Sequence, residues 1–588
     1  MKLHSFQWSG GVLVLGVVTL AAVASDKPLP EMDFDRGLPP VRALIERFQQ
    51  DRDSLRHVWL EEGDESAVRR WKQFLSDWQE RLAAVRFDGL DADGRIDWVL
   101  FHEQLGYERR ELKRRQERVT ELAELLPFDA AITGLEQDLR RMQWVKGEEA
   151  AETVNALAGQ VSEARKAVLA RLEAAGNTPA VPQTVAWRAV VRLKELRRSL
   201  RRWREFYEGY DPFFTWWVPE PANALDKALD DYARFLREKV AGVAQDDEDP
   251  VIGDPIGREA LLDALRHEFI AYTPEELIGI AEKEFHWCET EARKASEALG
   301  FGDDWLKTLD HVKSLHVEPG QQPRLIRRQA REAIRFVEDR DLLTIPPLAK
   351  ESWRMEMMTP ARQKVNPYFT GGNTISVSFP TADMEQADKL MSLRGNNEHF
   401  CRAVVHHELI PGHHLQLFMA DRYQSHRKMF TTPFLLEGWA LYWEMRFWDL
   451  DFARNAEDRV GMLFWRMHRC ARIIFSLKFH LGEMTAQEAI DFLVDRVGHE
   501  RNNATAEVRR SVGGEYSPLY QAAYMLGGLQ LRALHDELVD SGRMTEREFH
   551  DAVLRENAIP IELIRARLSG LDIPADFQAS WRFYGDIE

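Results

Sequence analysis

The sequence predicts a mainly α-helical protein with a small β-sheet beside its functional site, and three observations carry that reading. From about residue 40 to 240, apolar residues recur at three- and four-residue steps between charges, in a stretch rich in Leu, Ala, Arg and Glu and poor in glycine. Helix-start signals recur beyond it. A single segment, residues 368–380, changes to a period of two.

Lys2 precedes the apolar run "VLVLGVVTLAAVA", which ends on the small-x-small triplet Ala22-Val23-Ala24 ahead of the polar "SDKPLPE". A spanning helix needs ~20 apolar residues, so residues 1–24 are expected to be a cleaved signal peptide. The mature chain is then exported, periplasmic or secreted, with no membrane insertion after cleavage. Cys288, Cys401 and Cys470 are too few and too scattered for a disulfide framework, and their apolar, helix-like contexts predict buried thiols. With 44% hydrophobic and 30% charged residues among 588, the chain reads as globular. Its formal net charge of −18 argues against nucleic acid as a partner, because phosphate binding needs a basic surface.

The first half is read as an N-terminal helical region, residues 25–245. "LFHEQLGYERRELKRRQERVTELAELL" alternates apolar and charged residues at helical steps and predicts a long amphipathic helix. "RLKELRRSLRRWREF" is strongly basic, yet Leu193, Leu196, Leu200 and Trp203 run through it as a helical seam, which favours a solvated helix face over an anion site. The acidic "AQDDEDPVIGDPIG", residues 244–257, reads as a linker or long loop.

Residues 246–588 are read as the catalytic, zinc-binding region, the two halves forming one enclosing fold. In "YTPEELIGIAEKEF", Thr273 is the expected N-cap, Pro274 the first helical residue and Glu276 the capping-box partner. "YFTGGNTISVSFP" turns at Gly-Gly-Asn and then alternates, which predicts a strand over 374–379. An extended peptide can add to a strand edge, so Asn373, Ser376 and Ser378 are candidate substrate contacts.

The chemistry concentrates in "CRAVVHHELIPGHHLQ". Phe400, Ala403, Val404 and His407 occupy i, i+3, i+4 and i+7, which puts His407 on the inward stripe with Glu408 on its flank. His399, Arg402 and His406 are expected on the wetter face. The pattern begins like H-E-x-x-H, in which two histidines one turn apart grip Zn²⁺. Here the second histidine is displaced. His414 would lie two turns on in an unbroken helix, ~10.5 Å along the axis. Pro411 and Gly412 can break the helix and absorb two residues, bringing His413 to the second-ligand position. A third ligand is expected from "TTPFLLEGWALYWEMRFWD", where Thr432-Pro433 starts a helix with Glu437 and Glu444 among apolar neighbours. A carboxylate there is costly unless paired or metal-bound. Glu437 is the candidate ligand, Glu444 the carboxylate that orients a ligand histidine, and His414 a supporting residue or alternative ligand.

"HELIPGHHLQ" followed by "EGWALYWE" resembles the bacterial domain-of-unknown-function family 885, with its H-E-x-x-P-G-H-H-L-Q and E-G-W-A motifs. "YTPEEL" and "YMLG" extend the match over most of the chain. The resemblance implies a gluzincin-type, zincin-like zinc metallopeptidase, mostly helical, with His407, Glu408, His413, His414 and Glu437 at the motif positions. The expected function is cleavage of short peptides, with Zn²⁺ on His407, His413 and Glu437 and with Glu408 as general base. Tyr524, four residues after Tyr520, is the candidate transition-state donor, and Arg510 the candidate for a substrate carboxylate. The rival readings are hydrolysis of a non-peptide amide or ester, and an inactive helical binding protein.

Overall fold

The computed structural model describes residues 39–585 apart from 63, 176–180, 245, 248–249, 364–367, 370, 373 and 515; the expected signal peptide and Asn373 lie outside the described residues. About 71% of the chain is helical, and the described residues form one two-stranded sheet. No helix among the described residues is long and apolar enough to cross a membrane.

Two large apolar cores divide the helices, and they do not divide at residue 245. The first joins Pro40–Val58, Glu65–Ala83 and the first part of Ala92–Glu121 to the chain beyond Arg258. The buried residues of the second all fall within 122–243. The early helices belong to the C-terminal half because a buried charge binds them there. Asp97 accepts from His426 Nε2 and from Arg427 Nε, each at 2.7 Å, and Arg427, fully buried, also reaches Glu556. Removing either partner would leave a charge stranded away from water.

The second core is a helical bundle that includes Asp129–Arg140, Gly147–Ala175, Gln183–Tyr207 and Pro219–Phe235. Leu193, Leu196, Leu200 and Trp203 are buried in it, while Arg197 of the same helix faces outward to Asp226. The chain goes into this bundle after Arg118 and returns at Asp254. Those two residues are paired at 2.7 Å, and Arg188 of the bundle grips the same carboxylate at 3.0 Å.

The helix Pro274–Ala298 starts on the expected capping box of Thr273 and Glu276. It packs along Ala456–Leu481, a helix buried over nearly its whole length, which also carries Glu398–Glu408 and Tyr520–His535. The sheet pairs β1 (Arg354–Met357) with β2 (Thr374–Val377) in parallel, Met355 opposite Ile375. Ile375 and Val377 pack on Cys401, Val405 and Leu409, so the sheet backs the histidine-bearing helix. β2 is shorter than the predicted 374–379. All three cysteines are buried free thiols.

Candidate metal centre

The helix Glu398–Glu408 begins at Asn397, whose side chain accepts from the amides of His399 and Phe400, and it stops at Leu409. The Ile410–Pro411 peptide is cis. Gly412 folds back until its amide reaches the carbonyl of His406 at 3.0 Å, and a Cβ there would stand 1.8 Å from the carbonyl oxygen of His407. Only glycine permits that approach. A second helix, His413–Ala420, then starts. Trp439 holds the break in place, donating from Nε1 to the carbonyl of Pro411 at 2.8 Å.

The break turns His413 back toward His407, with the two rings 4.9 Å apart and nearly perpendicular. His414 faces elsewhere: its Nε2 lies 2.9 Å from the carbonyl of Ala349. Glu437 comes from Pro433–Asp449, capped by Thr432 as expected. One ligand atom from each of His407, His413 and Glu437 falls within 4.8 Å of the other two, all buried. Glu444, two turns beyond Glu437, binds His407 Nδ1 at 2.6 Å. With Nδ1 committed, the Nε2 of His407 is the nitrogen that faces Glu437 Oε2, 3.8 Å away, while His413 Nε2 lies 3.2 Å from the same oxygen.

Electrostatics mark this oxygen as unusual. Glu437 is 5% exposed, and its Oε2 makes no hydrogen bond among the described residues. Its Oε1 accepts from the Tyr520 hydroxyl. Burial pushes the Glu437 carboxyl up, but His413 and His407 outweigh it and hold it well below the usual carboxylate range. His407 responds in kind: burial lowers it, and the neighbouring Glu437 and Glu444 carboxylates raise it to about 9. Two imidazole nitrogens and a carboxylate oxygen that converge on one point, without satisfying one another, fit the donor set of a zinc site. The Glu444–His407 bond fits the carboxylate that commonly fixes a ligand histidine.

The three residues open on a cavity of about 300 Å³, which Glu408, Arg510, Tyr520 and Tyr524 also line. Burial raises Glu408 above its ordinary value. The Tyr524 ring lies parallel to that of His407 at 6.2 Å, and burial pushes its hydroxyl up to about 12. Arg510 stacks over Tyr516, Cζ to ring centre 4.8 Å. The tyrosines reach Glu437 because two helices touch through backbone. A Cβ on Gly438 would stand 2.5 Å from the Cα of Gly527, and one on Gly527 would stand 1.8 Å from the carbonyl oxygen of Phe434.

Several sequence expectations land elsewhere. His406 is no surface residue; it is 1% exposed and packs 4.4 Å from the Phe447 ring, because the helix it sits on is enclosed on that side too. His399 and Arg402 are likewise buried, paired with Asp458 and with Glu332. Ser376 and Ser378 do not line the cavity. Their hydroxyls donate to Glu356 at 2.6 Å and to Gln363 at 2.9 Å, which ties the sheet to the segment beside it. Arg469 and Arg472, which the sequence reading missed, do line it. The available signal was three arginines, 466, 469 and 472, at helical spacing inside the otherwise apolar "GMLFWRMHRCARIIFSL".

No curated protein sequence matches the chain. Two solved structures share its fold. One, a candidate lipoprotein of unknown function from Shewanella oneidensis, superposes with a TM-score of 0.64 at 17% identity, over 90% of this chain and 100% of that one. The other, a candidate lipoprotein from Colwellia psychrerythraea, gives 0.55 at 15% identity, over 90% and 98%. Identities this low speak for the fold alone. The family model described as "Bacterial protein of unknown function (DUF885)" matches residues 52–568, nearly the whole described chain, and on that match the protein belongs to the DUF885 family.

Proposed function

We propose that this protein is a zinc-dependent hydrolase that cleaves short peptides. One observation carries the reading: a buried carboxylate oxygen without a hydrogen bond faces two imidazole nitrogens, in a cavity that also holds Glu408. His407, His413 and Glu437 would hold the ion. Zinc, when bound, supplies a Lewis acid that polarises a carbonyl and makes water acidic near neutral pH.

The chain's own residues do the rest. Glu408, raised above its ordinary value by burial, accepts the proton of the attacking water and returns it to the leaving amine. Glu444 holds the His407 ring through Nδ1, and Tyr520 holds Glu437 through Oε1. Tyr524, on the cavity wall beside His407, donates a hydrogen bond to the oxygen on which charge develops. The small cavity favours short peptides over folded proteins. The description of the two structural neighbours as candidate lipoproteins supports reading the chain as exported, with its signal in residues 1–24.

The test is a peptide-library digest with metal analysis of the same sample. We expect about one zinc per chain, peptide cleavage that a chelator stops and zinc restores, and a Glu408→Gln variant that keeps its zinc but loses at least a hundredfold in turnover. A protein that takes up no zinc refutes the metal reading. Zinc uptake with ester or non-peptide amide turnover, and no peptide cleavage, refutes the peptidase reading alone.

A further inference from the structure

The cavity wall also carries more positive charge than the described residues beside it neutralise. Arg469 and Arg472 lie three residues apart on Ala456–Leu481, only 7% and 3% exposed, and both line the cavity. Arg472 Nε binds Glu507 at 2.6 Å, while its Nη1 has no partner. Among the described residues Arg469 has neither an ion pair nor a hydrogen bond, and its Nε is buried and unpartnered. Its contacts are aromatic faces: Cζ lies 4.5 Å from the Tyr524 ring centre and 5.3 Å from that of Trp465. Arg510, on the same wall, also has a buried, unpartnered Nε. Arg472 and Arg510 therefore share the Glu507 carboxylate, and Arg469 is left without an ion pair among the described residues. Burial and the neighbouring Arg472 push Arg469 below its ordinary value, and the Glu444 and Glu437 carboxylates offset them only in part.

A buried guanidinium without an acceptor is costly, and its planar fork matches a carboxylate in bidentate fashion. We propose that Arg469 and Arg472, with Arg510 at the rim, bind a carboxylate of the substrate one or two residues beyond the bond that is cut. The spacing sets that reach. The Tyr524 ring stands between the two sites, 6.2 Å from the His407 ring and 4.5 and 4.7 Å from Cζ of Arg469 and Arg472. An extended residue spans ~3.3–3.6 Å, and the contacts of the scissile group with the ligand set and of the carboxylate with a guanidinium take up part of the span, so one or two residues bridge the rest. A cavity of about 300 Å³, at the small end of the ~300–1,000 Å³ range of ligand pockets, suits the end of a chain better than its middle. The free C-terminus is the carboxylate that every peptide can present there; an acidic side chain is the other source of the same group.

The part of this inference that concerns cleavage rests on the peptidase reading, whereas binding does not. The first experiment is calorimetric titration of the purified protein with N-acetyl-alanyl-alanine, its C-terminal amide, and N-acetyl-aspartyl-alanine amide. We expect the free acid to bind at least tenfold more tightly than the alanyl-alanine amide, and Arg469→Met to erase that preference at unchanged zinc affinity. Arg469→Met should melt no lower than the parent, since it removes an unneutralised charge. Equal binding of acid and amide, or an undiminished preference in Arg469→Met, overturns the proposal. Tight binding of the aspartyl amide would assign the pocket to an acidic side chain and overturn the chain-end source. In digests, release of one or two residues from free but not amidated C-termini is expected. A preference in binding with no peptide cut at all would sink the peptidase reading and leave the carboxylate pocket standing.

Discussion

Replacing Gly527 by alanine is expected to damage the site from a distance. A Cβ at this position would meet the carbonyl oxygen of Phe434 at 1.8 Å and the Cα of Gly438 at 2.9 Å. Carbon and carbonyl oxygen normally approach no closer than ~3.3 Å, so the helices Pro433–Asp449 and Tyr520–His535 must part by about 1.5 Å at that point. Overpacking of this kind costs ~1–3 kcal/mol, and a backbone carbonyl cannot rotate aside as a side chain would. Against it stands the better helix propensity of alanine, ~1 kcal/mol. Taking the middle of the overpacking range, the clash wins and leaves Gly527→Ala about 1 kcal/mol less stable by the difference of these figures. The separation also draws Tyr520 away from Glu437, and errors of ~1 Å in a reacting geometry can cost ~100-fold in rate. Urea unfolding of parent and variant, followed by peptide turnover at saturating zinc, measures both effects. A variant as stable as the parent would show that the two helices are not in backbone contact and would refute the reasoning.

Further outcomes follow from the same geometry. His413→Ala should weaken zinc affinity by orders of magnitude, while His414→Ala, which loses bonds to the Ala349 carbonyl and the Ser352 hydroxyl, should keep it; competition with a chelating dye ranks them, and the reverse order would move the ligand to His414. Glu444→Gln should cost ~10–100-fold in zinc affinity, because the His407 ring loses its charged anchor; an unchanged affinity would remove Glu444 from the site. Stability should also fall in acid through Glu507. Burial raises this carboxyl, but Arg472 and Arg510 outweigh it and hold it at about 2, below an unfolded value of ~4.3. A depressed folded value gives stability that is complete above the unfolded value and is lost as pH falls toward 2. Urea midpoints between pH 6 and 2.5 should drop more steeply for the parent than for Glu507→Gln, and parallel curves would exclude the contribution.

The site was more legible than its surroundings. The phase of His407, the Pro411-Gly412 break and the Glu437–Glu444 pair could be read because each combines a local rule with a chemical requirement. What escaped depended on tertiary packing. His406 looked exposed on a helical wheel, since a wheel assumes one wet face, and Phe447 and Phe452 cover it from distant segments. Ser376 and Ser378 were in the expected strand, but which neighbour their hydroxyls meet is set by Glu356 and Gln363, across a sheet whose first strand, "RMEM", has no recognisable pattern. Arg469 and Arg472 were passed over because an arginine in a helix usually reaches water, and only the surrounding helices bury these two. The break between the halves was placed by composition, yet the core follows the Asp97–Arg427 contact, which joins residues 330 positions apart.

The bundle formed by residues 122–243 departs from and rejoins the main body at a single place, where Arg118 and Arg188 share the carboxylate of Asp254. In topological terms it is an insertion, a detour whose two ends are neighbours. A detour of this kind can lengthen, shrink or diverge without shifting the register of the helices that carry the histidines, because the chain resumes beside the point it left. Asp254 is then a clasp that closes the loop at its neck. Excision of the bundle with a short bridge from the end of Ala92–Glu121 to the 250s marks where the remaining protein could be made smaller, whereas a cut at residue 245 would strip away helices 40–112 and leave Arg427 without its Asp97 partner.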